Sequence, residues 1–180
     1  MSRSRWMAVA AVILAAAMAR LLPHPPNVTP IAAMALFGGV FGAGLLPALL
    51  LPLAAMAASD VVMTLIGHPD GGWHGTLPFV YLSLAATVGI GRLVARRRTA
   101  FSVAGGAVAA SLLFFVVTNF GAWWAGGIYP LTPEGLSACF VAALPFLRFT
   151  LLGDLFYSGL LFGGFALGER WLRGRMILRT

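Results

Sequence analysis

Charge is scarce in this chain: Asp, Glu, Lys and Arg together make up 9% of its 180 residues. A soluble domain of that length does not manage on so little charge. The single cysteine, Cys139, excludes an intramolecular disulfide and any multi-cysteine zinc or iron–sulfur site. No long linker, internal repeat or low-complexity tract divides the sequence, so one domain over residues 1–180 is the simplest organisation. Alternating polarity is also missing, which excludes a transmembrane β-barrel. What remains is apolar: 60% of residues are hydrophobic and mean hydropathy is +0.93. Several stretches reach the ~20 apolar residues that cross a bilayer core of about 30 Å. The sequence reads as an all-α, multi-pass membrane protein.

Six hydrophobic segments stand out: about Trp6–Leu22, Pro30–Gly44, Leu45–Ile66, Gly75–Val94, Ala100–Trp123, and a long last one inside Pro133–Leu172, whose crossing part is about 146–170. Backbone groups in lipid must be satisfied internally, so these are helices. Thr29-Pro30 and Thr132-Pro133 each place a capping hydroxyl before a proline at the first helical position. Leu22-Pro23 and Ile66-Gly67 supply stop signals. The last segment is too long for one crossing, and a break at Pro145 is expected, with the first part lying over the outer mouth.

Arginine position orients the bundle. Arg3 and Arg5 precede the first segment, Arg92, Arg96, Arg97 and Arg98 separate the fourth from the fifth, and Arg170, Arg173, Arg175 and Arg179 end the chain. With six crossings, these two, four and four residues all face one side, the cytoplasm by the positive-inside rule. Both termini are then cytoplasmic. The loops near 23–29, 67–74 and 121–132 face outward and hold no arginine or lysine. The net charge of +7 reads as topology and contact with membrane lipid rather than nucleic-acid binding. Met1–Ala19 also has the look of a signal peptide, with Ala17-Met18-Ala19 as a cleavage site. Retention is the expectation, because Arg20 directly after that site is an awkward mature start.

Polar residues collect on the outward half: Arg20, His24, Asn27, Asp60, His68, Asp70, Trp73, His74, Asn119, Trp123, Trp124, Tyr129, Glu134, Arg148 and Asp154. Ionisable groups inside a membrane usually face the bundle interior with a partner. Arg20, Asp60, Arg148 and Asp154 sum to zero charge, so they lock helix packing as buried pairs, or some of them hold a polar ligand, or a misplaced helix boundary leaves them exposed. Asn119-Phe120-Gly121-Ala122-Trp123-Trp124 is equally open between an interfacial aromatic belt and a stacking wall for a flat ligand, oriented by Asn119. His24, His68 and His74 match no compact zinc motif, and Pro25 and Pro69 beside them read as turns, so no metal is expected. Neither a G-x-S-x-G elbow nor an H-E-x-x-H helix is present, and an Asp60–Asp154 pair lacks a supporting motif, so no enzyme is expected. On the first helix Ala11, Ala15 and Ala19 recur every four residues, near Ala8 and Ala16. They are either filler from an alanine-rich composition or a close-packing face for a partner membrane protein.

The string Pro23-His24-Pro25-Pro26-Asn27-Val28-Thr29-Pro30, followed by Ala35-Leu36-Phe37-Gly38-Gly39, resembles a family of small bacterial membrane transport proteins. Ser59-Asp60, Phe114 to Gly121, Tyr129-Pro130 and Gly153-Asp154-Leu155 extend the match from about Arg20 to Gly168. That family is similar to the substrate-binding subunits (S components) of energy-coupling-factor (ECF) vitamin transporters. The resemblance implies six helices, a bacterial cytoplasmic (inner) membrane location, an outward-opening pocket and an alanine-patterned first helix that docks a transmembrane partner. It implies capture of a vitamin-like molecule and its release inside, with ATP hydrolysis left to separate subunits, since no G-x-x-x-x-G-K-[ST] loop is present. Some members of the wider superfamily act without a coupling module. For a corrinoid substrate, a histidine or Cys139 near the mouth would be the candidate cobalt ligand. The expected ligand contacts are Asn27, Asp60, Asn119, Trp123, Trp124, Tyr129, Arg148 and Asp154, and the expected docking residues Ala11, Ala15 and Ala19, with no cofactor. The other expectation is a structural or assembly factor that uses the same alanine face.

Overall fold

The computed structural model of the chain describes residues 3–22, 27–68 and 74–177. They form six helices: α1 (Arg3–Ala19), α2 (Ile31–Phe41), α3 (Leu45–Leu65), α4 (Leu77–Val94), α5 (Ala100–Ala125) and α6 (Pro133–Ile177). Their directions follow from two contacts. Arg5, at the start of α1, pairs with Glu169 late in α6, and Arg92, at the end of α4, donates to the Gly42 carbonyl just past α2. The start of α1 and the ends of α2 and α4 therefore share one end with the late turns of α6. The starts of α3 and α5, joined by short turns to α2 and α4, lie there too.

Local chemistry sets most helix ends. The Thr132 hydroxyl accepts the Gly135 N–H at 3.2 Å and caps α6 as expected. Thr29 does not cap α2: Pro30 itself is the N-cap and no side chain bonds to that end. At the end of α3 the Gly67 and His68 N–H groups reach back to the Thr64 and Met63 carbonyls. That Schellman turn requires the left-handed conformation that Gly67 adopts at φ +68°. Thr99 and Ser102 form a reciprocal capping box on α5.

The second segment is shorter than expected. Ending at Gly42 rather than Gly44, α2 has 11 residues and extends about 16 Å, half of a bilayer core. It is buried from Ile31 to Val40 and touches all five other helices. An apolar-all-round helix belongs in such a core. Its closest neighbour is α4. A Cβ on Gly39 would lie 2.3 Å from the Val88 carbonyl oxygen, and one on Gly91 2.4 Å from that of Leu36, so only glycine permits this backbone crossing. Around α2, Val9, Ile13, Met34, Phe37, Met56, Leu84, Val88 and Phe165 fill one core.

The last segment also departs from expectation: α6 is unbroken through Pro145 and extends about 67 Å. Pro145 lies on the exposed side of α6, and the helix continues past it along α5. Its first turns lie against α5 instead of over the mouth: the Cys139 thiol reaches the Asn119 carbonyl, and Phe140 packs edge-on against Phe115 at 5.6 Å. Leu46, Leu65, Phe101, Leu112, Leu152 and Leu160 are exposed on the outside of the bundle. An apolar coat of that kind suits lipid rather than water. Four helices, α3 to α6, are long and apolar enough to cross a membrane, compatible with a multi-pass membrane protein, and α1 and α2 are shorter apolar helices.

Candidate functional site

One polar arrangement and one cavity lie in the half of the bundle away from the arginine-rich end, and a second polar arrangement lies near the middle of the bundle. The first arrangement joins three helices. Arg20, just past α1 and 5% exposed, lies 2.9 Å from Asp60 Oδ1 on α3 and also bonds the Ser59 hydroxyl. Tyr81 of α4 donates to Asp60 Oδ2 at 2.6 Å. Both carboxylate oxygens are thus engaged by protein, and the buried charge is neutralised in place. Asp60 and Arg20 form the packing lock that was one of their readings, and each Asp60 oxygen has one protein donor.

The second arrangement holds Asp154. It is 4% exposed on α6 and accepts a 2.6 Å bond from Ser111 of α5. Arg148 does not reach it. That guanidinium sits 4.7 Å from the ring of its neighbour Phe149 on the exposed side of α6. The zero charge sum therefore resolves into one true pair, a carboxyl with a hydroxyl partner, and an outward arginine.

Between α5, α6 and the irregular segment 27–30 lies a cavity of about 120 Å³. Asn27 and Asn119 line it together with Phe114, Phe115, Thr118, Phe146 and Thr150. Asn27 adopts φ 62°, which asparagine tolerates better than other side chains. The segment that carries it runs from the exposed Asn27 to the buried Pro30 at the start of the short α2. A Cβ on Gly153 would lie 3.1 Å from the Val28 Cα, and Gly153 is 20 residues into α6, about 30 Å along it. Non-helical backbone at such depth is tolerated where it is covered by protein or borders a polar cavity. The Asn119 amide donates to the Phe115 carbonyl at 2.7 Å, which fixes the side chain and leaves its oxygen as an acceptor.

Of the eight expected ligand contacts, Asn27 and Asn119 come together and the others do not. Trp123, Trp124 and Phe120 form their own aromatic cluster, with Phe120 and Trp124 stacked at 6.1 Å. Trp123 Nε1 donates to the Pro130 carbonyl, and Trp124 is 58% exposed, as an interfacial belt requires. Tyr129 is half-buried in the α5–α6 turn, outside the cavity wall. His24, Asp70 and Trp73 lie outside the described residues, and His74 bonds Thr76. Among the described residues no three His, Cys, Asp or Glu side chains group as metal ligands. On α1, Ala11 and Ala15 are exposed and Ala19 is half-buried, whereas Ala16 turns into the core. Sequence reading missed Tyr81, Ser111, Thr118 and Thr150. Each is a lone hydroxyl in an apolar segment, and that weak signal gains meaning only once a neighbour is known.

The chain belongs to DUF6580, described as a family of unknown function, whose model matches residues 1–174. No curated protein matches the chain. No solved structure matches it either.

Proposed function

We propose that this DUF6580 protein is a six-crossing transport subunit of the bacterial cytoplasmic membrane, similar to ECF substrate-binding subunits. It captures a small vitamin-like molecule at the arginine-poor outer end and delivers it to the cytoplasm. The observation that carries the reading is the cavity at segment 27–30, lined by two amides and three phenylalanine rings. Small-molecule pockets combine apolar walls with a few placed polar groups. Transport proteins also place their sites where non-helical backbone interrupts the bundle near mid-membrane. The volume of about 120 Å³ lies below the about 300–1,000 Å³ of drug-sized pockets, so it suits a compact polar ring and would have to open for a corrinoid. The positive-inside rule then places the arginine-rich end and both termini in the cytoplasm. No catalytic step or cofactor is assigned to the chain.

Mass spectrometry of small molecules that co-purify with the detergent-solubilised protein tests this directly. A stoichiometric compound, lost from Asn119→Ala and retained by Arg148→Ala, is the expected result. No bound compound in wild type, together with no uptake phenotype on deletion, would overturn it.

A second reading draws on the exposure of Ala11 and Ala15, which lets another membrane helix approach α1 closely. In a coupled transporter that helix belongs to an ECF transmembrane subunit working with ATPase subunits; in an assembly factor it belongs to another membrane protein. Leucine at both positions would abolish transport and spare ligand binding in the first case. In the second there is no ligand to lose, and a co-purifying protein partner disappears instead.

A further inference from the structure

A larger hollow than the cavity at segment 27–30 lies at the other end of the molecule. It measures about 590 Å³ and is lined by Arg5, Arg92, Arg96 and Arg98 together with Phe41 and Gly42. Three separate parts of the chain bring these guanidinium groups together: the start of α1, the end of α4, and the turn into α5. The Phe41 ring is approached by two of them, Arg98 at 5.3 Å and Arg5 at 5.9 Å from its centroid. Arg92 is anchored by its 3.0 Å bond to the Gly42 carbonyl, and Arg5 by Glu169 at 2.7 Å. Four arginines against one glutamate leave three positive charges around one concave surface. Like charges gathered from distant parts of a chain repel unless an anion sits among them.

We infer that this cavity binds a phosphate group. Planar guanidinium forks match phosphate oxygens in pairs, and several forks around a hollow suit a phosphate better than a single carboxylate. Its position at the end of membrane-length helices makes the phosphate of an anionic lipid one source; a soluble phosphate compound presents the same chemistry. The volume exceeds that of one phosphate ion and leaves room for the group that carries it. The anion would tie the start of α1 to the α4–α5 turn, whichever ligand the opposite end takes.

Native mass spectrometry in neutral detergent, with phosphatidylglycerol or phosphatidylcholine added, tests the lipid source. Thermal shift with inorganic pyrophosphate and no lipid tests the soluble one. A phosphatidylglycerol adduct favoured over phosphatidylcholine, or a saturable pyrophosphate shift, supports the site and tells the two sources apart. Arg96→Gln and Arg98→Gln should each weaken binding about fivefold. Arg97→Gln, the neighbour that does not line the hollow, should leave it unchanged and serves as a folded control. Failure of both probes, or equal weakening by Arg97→Gln, would overturn the assignment.

Discussion

The two ends of the bundle use charge in opposite ways. At the arginine-rich end, guanidinium groups gather around an open hollow and only Arg5 has a carboxylate partner among the described residues. At the other end, Arg20 is buried and spent on Asp60 and Ser59, and the cavity wall is made of neutral amides, hydroxyls and aromatic rings. A charge that is buried and paired holds helices together. A charge left facing a hollow is available to something that arrives. The same residue type therefore has two roles, set by depth and by neighbours.

Removing the lock is the sharpest way to break this comparison. Arg20→Leu strands Asp60 inside the bundle and should cost about 3–5 kcal/mol. Unfolding in detergent, followed by helix content, would show it, and Arg20→Leu combined with Asp60→Leu should recover most of the loss. Arg96→Gln at the opposite end should leave the midpoint unchanged. If the two single variants lose equal stability, the two ends are not different in kind.

Overpacking the helix crossing comes next. Gly91→Ala places a methyl against the Leu36 carbonyl and should cost about 1–3 kcal/mol in the same assay. Gly89→Ala, two residues away and with open space around it, is the matched control. A third effect, of similar size, belongs to Tyr81→Phe, which removes one donor from the Asp60 carboxylate but leaves Arg20 in place. It should cost about 1.5–3 kcal/mol at most, less than Arg20→Leu. A larger loss would make Tyr81, not Arg20, the centre of the lock.

The smallest stability effect should accompany the largest change in binding. Thr118→Val and Asn119→Ala alter the cavity wall without touching the ion pair, so unfolding should stay within about 0.5–1 kcal/mol of wild type. Ligand affinity should fall about tenfold for Asn119→Ala, as expected for the loss of one buried hydrogen bond of about 1.4 kcal/mol. Unfolding of Asn119→Ala on the scale of Arg20→Leu would reassign that amide to packing.

Much of this organisation was legible before any coordinates. Hydropathy placed six helices, and five of them start and stop within about three residues of the expected bounds. Arginine position alone grouped the start of α1, the α4–α5 turn and the end of α6, and the contacts between Arg5, Arg92, Gly42 and Glu169 agree. The errors have physical causes. Proline at 145 costs α6 one backbone hydrogen bond and crowds the Val141 carbonyl, but that local cost does not end the helix, which continues with the ring on its exposed side. The α2 segment reads as long enough to cross because hydropathy does not register where Pro30 and Gly42 end the helix.

Composition, hydropathy and arginine placement thus indicate the class, the helix count and which helix ends lie together, because these follow from transfer energies and loop charge along the chain. Which polar groups meet was decided by tertiary structure alone. In helices apolar on every face no periodicity reports rotation, so nothing in the string distinguishes Arg148, turned outward on Phe149, from Arg20, turned inward on Asp60. Asn27 and Asn119 line one cavity because segment 27–30, left outside the short α2, lies against α5 and α6. That is a property of packing, and it created the cavity.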